Sequence, residues 1–252
     1  MKKIIGLLAL SLSIGACKNT PKEADPSADT TAKNTTISTE MEDSQQWIDL
    51  FNGKDFSGWH AYNGNEVPNT WQIEEGAMVF KPREKMEGEN LNIVTDENYE
   101  NFELSIEWRV SEGANSGIFW GVVEDPELSE PYLSGPEIQV LDNERHPDSF
   151  VGEGTHKAGS LYDMIAPASE PKPAGEWNHF IIHVNHKTNE GFVVLNGVEV
   201  THFPVHGADW DAMKAKSKFA KWESFGATWN GKLGLQDHGN EVAFRNIKVR
   251  QL

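Results

Sequence analysis

Glu137 and Gln139 alternate with Ile138 and Val140 in one short run, and Gln236 and His238 continue the polar side of a second run whose apolar members are Leu233 and Leu235. A third run sets Glu107 and Arg109 against Ile106 and Trp108. Successive side chains of an extended chain point to opposite faces, so each run separates its polar groups from its apolar ones. If the three strands lie side by side, Glu107, Arg109, Glu137, Gln139, Gln236 and His238 share one surface. That surface would carry an acid, a base and amides, the equipment of general acid–base chemistry on a neutral polar ligand. Glu137 follows Gly135-Pro136, which lets the backbone enter its strand tightly. His238 ends the run at a turn, where it could be base, acid or metal ligand. Asp237 beside it could orient the imidazole or simply favour the turn.

A divalent metal ion is possible as a cofactor; none is required by the sequence. His146, His156 and His238 with Glu137 could form a site, although no close H-x-H or H-x-x-x-H pair occurs among them. His179 and His183 are four apart on a predicted strand, about 13 Å, too far for one ion. His202 and His206 flank Pro204 and show no partner.

The elements that must position these groups are strands. Asn101–Val110, Glu137–Leu141, His179–Asn185, Gly191–Asn196, Lys232–Asp237 and Val242–Val249 repeat their apolar residues with period two or nearly so. Asn-Gly and similar turn pairs separate them, at Asn52-Gly53, Glu75-Gly76, Asn196-Gly197, Asn230-Gly231 and Gly239-Asn240. Many strands and few helices in about 200 residues imply an all-β, two-sheet sandwich. Trp59, Trp71, Trp108 and Trp177 read as core. The one helix candidate is Asp209–Trp222, with Trp210, Met213 and Trp222 on a common face and a lysine cluster, Lys214, Lys216, Lys218 and Lys221, read as a solvated surface, with anion binding as the alternative. No second folded domain or internal repeat is visible.

The amino terminus has a different character. Lys2 and Lys3 precede an apolar stretch, Ile4 to Ile14, and then Gly15-Ala16-Cys17, which holds the sole cysteine of the 252 residues. The stretch is too short to span a bilayer. A basic start, a short apolar segment and small residues before a cut mark an export signal, and the cysteine resembles a lipobox, whose thiol is acylated. The expected organisation is a signal peptide over 1–16, a lipidated Cys17, a flexible tether over 17–45 and a folded domain over 46–252. The tether is polar and poor in large apolar side chains, and would reach about 30 Å as a coil. The protein is then exported and anchored by lipid to a bacterial membrane, periplasmic or on the outer-membrane face. ATP- or NAD-dependent chemistry does not suit that compartment. The formal charge of −17, which becomes −19 without Lys2 and Lys3, argues against nucleic acid and against an anionic bilayer as partners of the folded domain.

The stretches WIDLFNGKDFSGWH, WQIEEGAMVF, FELSIEWRV, NSGIFWG, GPEIQVLD, HKAGSLYDM, GEWNHFIIHV and GKLGLQDHGNEVAFRNIKV follow one another in order. Together they resemble the 3-keto-disaccharide hydrolase domain family over about Trp47 to Leu252. The resemblance implies a concanavalin A-like jelly-roll β-sandwich of two antiparallel sheets, one of them holding carbohydrate. It implies cleavage of glycosides whose sugar carries a ketone at carbon-3, and hence a functional link to a sugar 3-dehydrogenase. The ketone acidifies the proton on carbon-2; its removal lets the group on carbon-1 leave, and water then adds to the enone. Such a route needs a base, an acid for the leaving oxygen and a donor for the enolate oxygen. On that reading Glu137 and His238 are catalytic. Glu107, Gln139 and Gln236 face the substrate, Arg109 could hold an enolate oxygen or a sugar hydroxyl, and Asn115 could bond a sugar hydroxyl. In the 156–163 stretch Lys157 could stabilise the enolate and Tyr162 could stack on the sugar or donate a proton.

Two other readings compete. A non-catalytic, lectin-like carbohydrate-binding module would use the same fold. An ordinary glycoside hydrolase would need paired carboxylates across the substrate, but Glu137 and Asp142 are five apart and fall on opposite faces, with Gln139 where a second acid would be useful.

Overall fold

The computed structural model describes residues 46–84, 86 and 89–252. The expected signal peptide, the lipidated Cys17 and the tether over 17–45 lie outside the described residues. Within them, strands β1 (Ile48–Asp49), β2 (Trp59–Ala61), β3 (Trp71–Glu74), β4 (Ala77–Phe80), β5 (Ile93–Tyr99), β6 (Phe102–Val110) and β7 (Asn115–Val122) come first. They are followed by β8 (Glu137–Leu141), β9 (Asn178–Asn185), β10 (Glu190–Leu195), β11 (Val198–Phe203), helix α1 (Gly207–Lys214), β12 (Gly231–Leu235) and β13 (Val242–Gln251).

The strands form two antiparallel sheets stacked as a jelly-roll sandwich. The larger, eight-stranded sheet runs β11-β10-β9-β6-β13-β4-β3, with β1 also pairing β13; the five-stranded sheet runs β2-β5-β12-β7-β8. Period-two sequence produces this directly. In β6, Phe102, Leu104, Ile106, Trp108 and Val110 are buried and the residues between them are half-exposed. In β9, Phe180, Ile182 and Val184 are buried in the same way. Their side chains meet Ile118, Trp120, Ile138, Val140, Leu233 and Leu235 of the smaller sheet in one core. Trp108 packs on Phe180 with ring centroids 5.2 Å apart, and Trp120 stacks on Phe203 at 5.7 Å. Each such side chain contributes about 1.5–3 kcal/mol by leaving water. Trp59, Trp71 and Trp108 are core residues, as expected; Trp177 is not. It is half-buried on the outer face of the large sheet, with the guanidinium groups of Arg109 and Arg245 at 4.7 and 3.9 Å from its ring.

β7 is buried along its whole length because both of its faces are covered, one by the core and the other by loops. The 3-10 turn Pro131–Leu133 and the segment 215–226 lie over the small sheet; Gly226 N–H donates to the Ser134 carbonyl at 2.8 Å, joining the two. The expected helix over Asp209–Trp222 ends at Lys214. Ser217 is the reason: its hydroxyl donates to the Lys214 carbonyl at 2.8 Å, and the following amides close tighter turns.

β8 sits at an edge of the small sheet, yet its outer side is not open. Gln139 N–H donates to Ser160 O, Gly159 N–H to Gln139 O and Tyr162 N–H to Glu137 O, at 3.2, 2.9 and 3.0 Å. The segment 159–162 is thereby stitched along the strand.

Candidate active site

On the outer face of the small sheet, away from the core, the loops leave a cavity of about 240 Å³. Its floor comes from three adjacent strands or their ends: Asn115 of β7, Glu137 and Gln139 of β8, and Gln236 and His238 just beyond β12. Its walls come from the covering loops: Tyr132, Tyr162, Lys218 and Phe219. Gly117 of β7 makes the floor possible. A Cβ there would lie 2.0 Å from Glu137 Oε1, so the carboxyl occupies the space a side chain would fill.

Glu137 is only 7% exposed. Burial pushes its carboxyl up to about 8, with Lys218 pulling the other way, Asp148 adding to the rise and a hydrogen bond from Gln236 opposing it. His238 lies at the exposed mouth of the cavity, where loss of solvation and neighbouring His146 lower its imidazole from the ordinary value; the two rings meet edge to face at 6.0 Å. At neutral pH the buried acid therefore keeps its proton and the imidazole lacks one. Asn115 Oδ1 and Gln236 Oε1 are buried acceptors with no protein donor, and both side chains line the cavity. They are suited to hydroxyl groups of a bound molecule.

Tyr162 is tied down. Its hydroxyl donates to Asp148 Oδ2 at 3.0 Å, its ring stacks on His156 at 4.4 Å, and Lys218 Nζ lies 4.1 Å from its centroid. Burial, and then the Asp148 charge, raise the phenol far above its usual range. Its proton is thus held by Asp148 and its oxygen can accept from the cavity.

Three of the nominated residues, two grouped by alternation and Lys157 from the 156–163 stretch, are elsewhere. Glu107 and Arg109 do face away from the core, but β6 belongs to the large sheet, so their side is the opposite side of the molecule. Glu107 accepts from Arg245 Nε at 2.7 Å and Asn246 Nδ2 at 2.9 Å, and Arg109 packs on Trp177. Lys157 turns outward and pairs with Glu170 at 2.5 Å. Glu137, Gln139, Gln236, His238, Asn115 and Tyr162 are brought together. Of the histidines proposed with Glu137 as a metal set, His146 and His238 meet, but His156 is engaged by Asp148 and Asp163, each at 2.8 Å. Among the described residues no group of three or more His, Cys, Asp or Glu is disposed to hold a metal ion. Tyr132, Phe219 and Asp148 were not anticipated; Lys218 was read with its lysine cluster as a solvated surface, but it lines the cavity, its backbone N–H donating to Asp163 Oδ2 at 2.6 Å.

A family model described as the 3-keto-alpha-glucoside-1,2-lyase-like domain matches residues 46–250. The chain belongs to this family. A Bacteroides thetaiotaomicron protein named 3-keto-disaccharide hydrolase is 34% identical over 293 aligned positions that cover 100% of both chains. A Parabacteroides distasonis structure, described as a candidate glycosyl hydrolase, is 34% identical with a TM-score of 0.76, over 85% of this chain and 97% of that one. A second structure from the same organism, described likewise, is 26% identical with a TM-score of 0.61, over 82% of this chain and 100% of that one. The cavity of this member of the 3-keto-alpha-glucoside-1,2-lyase-like family is built wholly within the matched region.

Proposed function

We propose that this glycoside-cleaving enzyme acts on 3-keto-glycosides by elimination across carbon-2 and carbon-1, followed by hydration. The observation that carries the reading is the opposed pair in one cavity: a buried carboxyl that holds its proton and an imidazole that has lost one. Groups pushed apart in this way divide the acid and base roles. His238 takes the proton from carbon-2. The electron pair of the broken C–H bond delocalises onto the ketone oxygen, which the Lys218 ammonium is charged to stabilise. As the pair returns, the C1–O1 bond breaks and Glu137 gives its proton to the departing oxygen. Water then adds its hydroxyl to carbon-1 and its proton to carbon-2, so the sum is hydrolysis. Asn115, Gln139 and Gln236 bind sugar hydroxyls. The relative named 3-keto-disaccharide hydrolase supports the substrate class.

Export and a lipid anchor at Cys17 fit this use, as does a dehydrogenase supplying the ketone; both are part of the proposal. The test is release of aglycone from a 3-keto-glucoside and from its unoxidised parent across a pH series. Release from the keto form alone is expected. The rate should rise as His238 loses its proton below pH 6.5 and fall as Glu137 ionises near 8. Binding of both compounds with no release would favour a lectin-like module instead.

A further inference from the structure

We propose that His156 is a positioning residue of this site: by holding Asp148 and Asp163 at once it sets both the Tyr162 hydroxyl and Lys218 over Glu137. The inference deepens the function proposed above and rests on it for the meaning of the site, but not for the contacts themselves.

Two separate pieces of chain, around Asp148 and around Tyr162-Asp163, meet at this imidazole. Nδ1 lies 2.8 Å from Asp148 Oδ1, on the 3-10 turn Pro147–Phe150. Nε2 lies 2.8 Å from Asp163 Oδ1. The ring itself lies flat against Tyr162. Each carboxylate uses its second oxygen for the site. Asp148 Oδ2 receives the Tyr162 hydroxyl, and Asp163 Oδ2 receives the Lys218 amide. His156 thus links the two groups that wall the cavity without lining it.

The arrangement is built tightly. Asp163 adopts a left-handed conformation, φ 59°, that a non-glycine residue takes at a cost. Gly152 allows no side chain, since a Cβ would lie 2.7 Å from the His156 ring. The His156 side chain is 12% exposed and its carboxylate partners are 23% and 21% exposed. One ring thus bridges two acids that are close together and little solvated.

The consequence is electrostatic. Glu137 is faced by Lys218 and Tyr162 from the covering loops, by Asp148 from the 3-10 turn, and by Gln236 and His238 from the strand end. Lys218 is the neighbour that most lowers the Glu137 carboxyl, and Asp148 raises it. Without His156, Asp163 loses the partner that fixes it and Lys218 is released. Asp148 loses its Oδ1 partner. Release of Lys218 moves Glu137 upward. A histidine that only filled space would leave the titration where it is.

The experiment follows the infrared carbonyl band of the protonated Glu137 carboxyl against pH in the full chain, identified by its absence in Glu137→Gln. In His156→Ala the midpoint is expected to rise by about 0.5–1 pH unit, the size of a lost or weakened charge neighbour. Turnover of a 3-keto-glucoside should fall at least about tenfold with a small change in KM, since a misplaced group costs transition-state stabilisation. Should His156→Ala fail to fold, Asp163→Ala removes the Lys218 anchor and should raise the same midpoint. A midpoint unchanged in the folded variant overturns the proposal. A wild type that turns over no 3-keto-glycoside would instead sink the function proposed above, and the titration would still report on His156.

Discussion

A carboxyl that keeps its proton to about pH 8 inside a folded protein favours the folded state when protonated and opposes it when ionised. The Glu137 value is raised from an ordinary 4.5, so the native state binds the proton more tightly than the unfolded chain does. Its contribution is therefore fully present below about pH 4.5 and is lost as pH climbs through 8, at about 1.4 kcal/mol per unit between the two. Glu137→Gln removes the titration. The variant should melt higher than the wild type at pH 9 and show a much smaller gain at pH 5; equal gains at both would mean the carboxyl is not buried in solution. Gly117→Ala probes the same spot from the neighbouring strand. The added methyl cannot coexist with the carboxyl where it stands, so Glu137 must shift. Activity is expected to drop about 100-fold, as for a misplacement near 1 Å, with a stability loss of about 1–3 kcal/mol; kcat/KM and a urea melt measure the two. At this scale the sequence was informative where a side chain's strand and face were enough. Glu137, Gln139 and Gln236 could be nominated from alternation alone. The roles of Gly117 and Asp148 depend on contacts to other elements, which alternation does not encode.

The elements explain which nominations failed. Period two tells whether a side chain faces the core, but a sandwich has two outer faces, and Glu107 and Arg109 use the one on the far side. Only the sheet order, with β8 and β12 flanking β7 and β6 elsewhere, separates them. Lys218 was illegible for another reason. It follows a helix that stops early, at Lys214, in a segment without periodicity, and its anchor is 55 residues away. The seam between β8 and the 159–162 segment was equally hidden, because that stretch reads as a turn-rich connection. Native-state hydrogen exchange checks the seam. The amides of Gln139, Gly159 and Tyr162 all donate to backbone carbonyls across it, and should be protected together, well above the exposed turn at Gly152 and Glu153. Fast exchange at Gly159 and Tyr162 beside a protected strand would mean the segment detaches in solution.

At the scale of the whole molecule the two sheets divide the work. The large sheet supplies most of the core through β6, β9 and β13, and its outer face is finished with ion pairs and the Arg109–Trp177–Arg245 stack. The small sheet carries the candidate site under its loops. This division was partly readable: the alternating runs, the turn pairs and the absence of long helical patterns specify a sandwich, and the ordered motifs specify its kind. The partition into eight and five strands was not, because pairing partners are set by packing between distant segments. The covered border of β8 carries one more implication. An uncovered strand border invites a second molecule to zip on and grow an aggregate. Here the cover is the very stretch that presents Tyr162, so one segment both closes a strand border and walls the candidate site. Damage to that stretch would cost solubility as well as disturb the cavity wall.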